Sequence, residues 1–161
     1  MTVALNTGGS RMSETQGYIQ IMREQQAELV KACAGLGAEA LNWRPIATDA
    51  NSIYALAMHT SGSAAFWIHQ VIGGVDIKRN RDAEFVARGD DLREWQARLE
   101  QTMAASEEVL RRLNDADLQR VLKVGAEEHT VRWCILHVID HTSRHIGHIE
   151  LTRQLWEQSK G

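Results

Sequence analysis

The segment HVIDHTSRHIGHIE, residues 137–150, holds four of the chain's seven histidines, at positions 137, 141, 145 and 148. Their spacings are four, four and three. On a helix of about 3.6 residues per turn, all four fall within an arc of roughly 80°. Cys134, Val138, Ile149, Leu155 and Trp156 lie on or beside that arc, so the stripe is expected to face the interior. Burying imidazoles side by side is unfavourable unless something satisfies their nitrogens. A divalent metal does so, because neutral imidazole is its commonest ligand. Two histidines at i and i+4 stand about 6 Å apart and can share one ion. All four cannot, since residues 137 and 148 are separated by roughly 16 Å along the axis. A second helix must complete the set.

The rest of the sequence is written for helices. It contains one proline, Pro45, and almost no strand-like alternation. Ser13 and Gln16 have capping-box spacing and open a first helix that reaches about Cys33, with Gly35 and Gly37 beyond it. A second helix is capped by Asn51 or Ser52 and stops at Gly73-Gly74. Asp91 and Glu94 repeat the capping-box spacing before a third helix ending near Leu113. Thr130 caps a fourth that carries the histidines to about Trp156. The expected fold is all-α, a four-helix bundle with long inter-helix connections. Residues 75–89 read as a polar loop, and 115–129 as irregular with a short extended piece. The first eleven residues read as a loose leader before a single domain over 12–158.

The second helix supplies the obvious candidate for the missing ligand. In SIYALAMHTSGSAAFWIHQ, residues 52–70, His59 shares a face with Leu56, Ser63, Phe66 and Gln70. Ser61, Gly62 and Ser63 are small and leave space beside it. His69 points about 80° away and is expected in solvent. His129 falls in the loop before the fourth helix. A formal net charge of -3 and a pI near 6.2 argue against a nucleic-acid groove or a polybasic membrane patch. Lys78, Arg79 and Arg81 form one small basic cluster, read as a solvated loop. Cys33 and Cys134 form no disulfide framework, which favours a reduced, cytoplasmic setting. The opening residues lack the apolar core of a signal peptide, and no run approaches a membrane span.

Together, NSIYALAMHTSGSAAFW and HTVRWCILHVIDHTSRHIGHIELTRQL resemble the DinB-like superfamily, which includes bacterial thiol-dependent transferases. The resemblance extends from about residue 12 to 158. Its pattern is a lone histidine on helix 2 and, some eighty residues later, an i,i+4 histidine pair followed closely by glycine, here Gly147. It implies a four-helix bundle, often homodimeric, with one divalent metal, often zinc or nickel, held by His59, His141 and His145. Known members include mycothiol-dependent isomerases, among them maleylpyruvate isomerase, and transferases of bacillithiol. Ile146 and His148 depart from the arginine and glutamine that many relatives carry there. The superfamily's association with DNA damage implies no DNA chemistry for this acidic chain.

Three neutral histidines leave an ion with an open position, the catalytic arrangement and not the closed structural one. That position suits a low-molecular-weight thiol, giving a transferase acting on a small-molecule substrate. It equally suits water, giving a metal-dependent hydrolase that uses metal-bound hydroxide. A third reading is a non-catalytic, metal-stabilised binding protein. His137 and His148 are candidate proton shuttles. Glu39, Asp49 and Asp140 are possible bases, although Asp140 lies about 100° from His141 and should face outward. The five tryptophans read as core and interface packing. Ile135, Ile139 and Ile146 give the fourth helix a second apolar side, expected against a neighbouring helix or a second subunit in a homodimer.

Overall fold

The computed structural model describes residues 12–161, so the leader expected at 1–11 lies outside the described residues. The capping box forms as read: Gln16 N–H donates to Ser13 Oγ and Ser13 N–H to Gln16 Oε1. It opens α1, Glu14–Cys33. A short α2, Ala38–Asn42, lies within the first connection. Ser52 caps α3, Ile53–Ala64, which runs on without a break as a π-helical stretch, Ala65–Ile72. After α4 (Arg81–Val86) come α5 (Arg93–Arg111) and α6 (Asp115–Gln119). Strands β1 (Val121–Val124) and β2 (Glu127–Thr130) form an antiparallel hairpin that pairs Val121 with Thr130. Gly125 takes φ +64° in its turn, where a side chain is disfavoured. Thr130 then caps α7, Val131–Ser159.

Three local expectations need correction. The polar segment 75–89 contains α4, started by Asn80, whose side chain accepts the Ala83 N–H. Asp91 and Glu94 form no capping box. The Asp91 carboxylate turns back on its own loop, accepting the Arg93 N–H and pairing with the Arg93 side chain, so Leu92 takes the N-cap position without a side-chain bond. His129 lies in β2, not in a loop.

The long helices α1, α3, α5 and α7 form the bundle. α1 packs against α5 and α7, and α3 packs against the same two, so α1 and α3 face each other diagonally. Two apolar clusters fill the interior. One joins Leu29, Cys33, Ile53, Trp95, Leu99 and Ile149, and the other Tyr18, Met22, Ile68, Met103, Leu110 and Ile135. Along α1 and α7 the chain passes from the second cluster to the first, whereas along α3 and α5 it passes from the first to the second. Thus α3 and α5 run in the same direction side by side. Their connection, 73–92, must return along the bundle, a distance of roughly 30 Å for the twenty residues 53–72.

Between the clusters each helix contributes buried polar residues: Gln25, Thr60, Ser61, Thr102, Ser106 and Thr142. Gln25 Nε2 donates to the Ile139 carbonyl at 2.8 Å and to Ser143 Oγ at 2.7 Å, tying α1 to α7 at this level. The second apolar side of α7 is covered within the chain: Ile135 joins the cluster containing Tyr18 and Met22 of α1, and Ile146 the cluster containing Leu29. Among the described residues, no helix is long and apolar enough to cross a membrane.

Candidate metal centre

His59 on α3 and His141 and His145 on α7 meet at the polar waist. Each offers a ring nitrogen within 4.8 Å of the other two. His141 Nε2 stands 3.1 Å from His59 Nε2 and 3.1 Å from His145 Nε2. One nitrogen carries at most one proton, so His141 cannot satisfy both neighbours. The His59 tautomer sharpens the conflict, because its Nδ1 lies 3.0 Å from Glu84 Oε2 and donates to that carboxylate. Its Nε2 therefore turns a lone pair toward the other rings. His145 Nδ1 is buried without a hydrogen-bond partner. Ligands about 2.0–2.1 Å from a tetrahedral ion lie about 3.3 Å from one another. These donors fit a divalent cation.

Burial moves the titration of the α7 pair in the same direction. His141 is lowered to about 3, first by burial and then by repulsion from His145 and His59 in their charged forms. His145 is lowered to about 4, again chiefly by burial. Both are therefore neutral, metal-competent bases at pH 7.

Glu84 is the site residue that the sequence reading missed. It is 4% exposed and docks from α4. Arg79 Nε donates to its Oε1 and Arg79 Nη2 to its Oε2, both at 2.8 Å. Burial alone would raise this carboxyl, but Arg79 and His59 outweigh it and hold it below its usual value. Gly62 makes the approach possible, since a Cβ there would lie 2.0 Å from Glu84 Oε1. Two signals were legible: an asparagine cap before an acidic first turn, and an isolated glycine inside a helix.

The other candidates separate. His137 lines a cavity of about 650 Å³ with His59 and His141, its ring stacked 4.8 Å from Trp133 and its pKa lowered by burial. His148 is exposed, with its ring 5.5 Å from that of His145, so the stripe faces inward only in part. His69 is not in solvent. It is half-buried and its Nε2–H lies between the Thr102 carbonyl and Ser106 Oγ of α5. The cause is the π-helical winding, visible in the Gly73 N–H to Ile68 carbonyl bond of 2.9 Å. This wider turn advances less than 100° per residue, so an α-helical wheel misplaces residues beyond Ala65. It brings Trp67 to the cavity, where packing alone had been expected. Lys78 and Arg81 are solvated as read, whereas Arg79 is largely buried against Glu84, and all three line that cavity. Glu39 pairs with Lys160 and Asp140 with Arg144, while Asp49 is exposed and does not line the cavity.

A profile of the mycothiol-S-transferase family matches residues 18–158. The chain belongs to the mycothiol-S-transferase family. Its fold is shared with solved proteins of low sequence identity. A conserved protein from Enterococcus faecalis superposes with a TM-score of 0.72 at 16% identity, over 90% of this chain and 98% of that one. YfiT from Bacillus subtilis superposes with a TM-score of 0.69 at 17% identity, over 92% of both chains. It is described as a probable metal-dependent hydrolase with an unusual four-helix bundle topology. No curated protein matches the sequence. For this family member the parallel neighbours α3 and α5 account for its departure from simple up-and-down order.

Metal analysis of purified variants is expected to find one divalent ion per chain in the wild type and none in His141→Ala or His145→Ala. His69→Ala should keep its ion. Glu84→Gln should weaken affinity by about 10–100-fold, the usual effect of losing the partner of a ligating histidine. Gly62→Ala, which displaces the same carboxylate, should do likewise; unchanged affinity in both variants would remove Glu84 from the site.

The metal-free protein should also lose stability on acidification. Unfolded imidazoles protonate near 6.5, whereas folded His141 and His145 resist until about 3 and about 4. Between those values the unfolded chain binds more protons, so stability is full above about pH 6.5 and declines as pH falls. Calorimetric Tm against pH should show this slope, and a His141→Ala, His145→Ala double variant should flatten it.

Proposed function

We propose that the chain is a metal-dependent transferase that activates a low-molecular-weight thiol, with His59, His141 and His145 as ligands of one zinc or nickel ion. The carrying observation is the three-nitrogen set with His59 and His141 opening onto the 650 Å³ cavity. Membership of the mycothiol-S-transferase family supports the thiol part of the reading. The chain's own thiols are unsuited to the task. Both cysteines are buried in the apolar clusters, and burial pushes Cys33 up to about 12 and Cys134 up to about 11. The nucleophile must therefore enter from outside.

A divalent ion in this set would supply positive charge that lets a thiol ionise at neutral pH. The protein's residues do the rest. Glu84 keeps the His59 proton on Nδ1 and so holds Nε2 as a donor. Phe66 and Trp67 line the cavity and exclude water from part of it. His137, neutral at pH 7 and facing the same cavity, is assigned to accept the proton that the thiol releases. His148 lies outside that lining and is the poorer shuttle.

A second reading, a hydrolase, is favoured by the shared fold with YfiT and its description. A non-catalytic binding protein is the third. We also propose a cytoplasmic homodimer. Its contact would use Leu136, Leu151 and Leu155 of α7, which stay exposed. Light scattering should give twice 18.1 kDa, and a one-chain mass at micromolar concentration would refute the dimer.

Cobalt-substituted protein should change its visible spectrum on addition of a small thiol, through a sulfur–metal bond. It should then accelerate thiol addition to an electrophile, and His59→Ala should abolish that rate. A hydrolase would show little spectral response to thiol and would cleave an ester or amide without it. No spectral change and no rate with any biological low-molecular-weight thiol would remove the transferase reading.

A further inference from the structure

The cavity beside the histidines is lined by three cations, and their pairing with Asp76 in the lining and Glu84 outside it leaves one cation over. Arg79 is committed to Glu84 through two hydrogen bonds, and its guanidinium lies 5.5 Å over the Phe66 ring. Lys78 pairs with Asp76, which its ammonium holds below the usual carboxylate range. Among the described residues, Arg81 alone of the three has no carboxylate partner in the structure. Its guanidinium lies 4.9 Å over the Phe85 ring, and that ring lies 4.3 Å from the His59 ring. Taken end to end, the two separations put the Arg81 charge within about 9 Å of the first candidate ligand. Stacking covers the face of a guanidinium and leaves its N–H edge free for a bidentate acceptor.

We propose that Arg81 is a carboxylate-binding group, and that the electrophile is a small carboxylic acid whose apolar body lies along Phe66 and Trp67. This rests on the transferase reading above and deepens it. One uncompensated guanidinium matches a monoanion. A phosphate dianion would call for a second free cation, and Lys78 and Arg79 are both committed. The planar fork matches a carboxylate edge to edge. The aromatic side chains of Phe66 and Trp67 line the same cavity and offer a flat, apolar body a surface on which to lie. A carboxylate held by Arg81 at one end leaves the other end of a molecule several ångströms long directed at the histidines. The 650 Å³ of the cavity leaves room for a thiol beside it.

The test is a titration of the zinc-loaded protein with 4-fluorocinnamate and its neutral counterpart 4-fluorocinnamamide, read by fluorine NMR. The acid should bind at least about tenfold more tightly than the amide, the scale of one charge-assisted bidentate contact. Arg81→Gln should erase that difference, whereas Lys78→Gln should preserve it. Arg81 is exposed and unpaired, so the variant should fold, which circular dichroism would verify. Equal binding of acid and amide by the wild type overturns the proposal. So does a preference that survives Arg81→Gln but vanishes when a chelator strips the metal, since the carboxylate would then sit on the ion. A parallel comparison uses N-acetylcysteine and N-acetylcysteine amide. If Arg81→Gln weakens only the thiol acid, the carboxylate belongs to the thiol and the electrophile assignment falls. The fluorocinnamate arm contains no thiol, so Arg81-dependent binding there stands apart from failure of the transferase reading. Conversely, a cobalt spectrum that responds to thiol beside a flat fluorocinnamate titration removes the carboxylate site alone.

Discussion

Because α3 and α5 lie side by side and run in the same direction, the chain between them must return along the bundle. A tight turn cannot make that journey. The returning segment crosses the waist where the histidines meet, and there it docks Glu84 against Gly62 and His59. The same segment brings Arg79 and Arg81 to the cavity and places Phe85 against the His59 ring. The connection thus serves as a wall of the site, and its charge and aromatic content follow from what it must cover. Shortening it would require α5 to reverse direction and would remove the carboxylate that orients His59.

The waist explains why imidazoles can be buried here at all. Above and below it the interior is apolar, and a thiol placed there is held neutral, as Cys33 and Cys134 are. At the waist, every long helix offers hydroxyl or amide groups, several already bonded to their own backbone, such as Thr60 to Leu56 and Ser106 to Thr102. These groups leave the histidines without protein partners for all their nitrogens. Glu84 and Arg79 close one side with a paired, hydrogen-bonded charge. A buried carboxylate lacking such a partner would be strongly unfavourable, so Arg79 is as much a condition of the site as Glu84.

Much of this was legible in residue spacing. The i,i+4 pair at His141 and His145 and the lone His59 could be placed on inward faces because α7 and the first turns of α3 follow the ordinary helical period. The caps at Ser13, Ser52 and Thr130 held because each hydroxyl accepts the N–H three residues on. Asp91 failed as a cap because Arg93, two residues on, offered its carboxylate both a backbone and a side-chain donor. Helix direction was invisible in the sequence, since local pattern carries no record of which neighbour a helix packs against. Without it, the 75–89 segment could only be read by composition, as a polar loop, and Glu84 was not singled out within it.

The π-helical stretch shows the same limit at finer scale. An α-helical wheel extrapolated past Ala65 sends His69 into solvent and keeps Trp67 off the face of His59. Wider winding reverses both outcomes, giving His69 to α5 and Trp67 to the cavity. Such a turn strains the backbone and survives only where side chains gain from the rotation. Here His69 finds two acceptors on α5, while Trp67 packs edge-to-face with His137 at 4.9 Å. That contact, with the stacking on Trp133, holds the His137 ring at the cavity wall. The distortion therefore lies where bundle packing and the chemistry of the site make demands on the same eight residues.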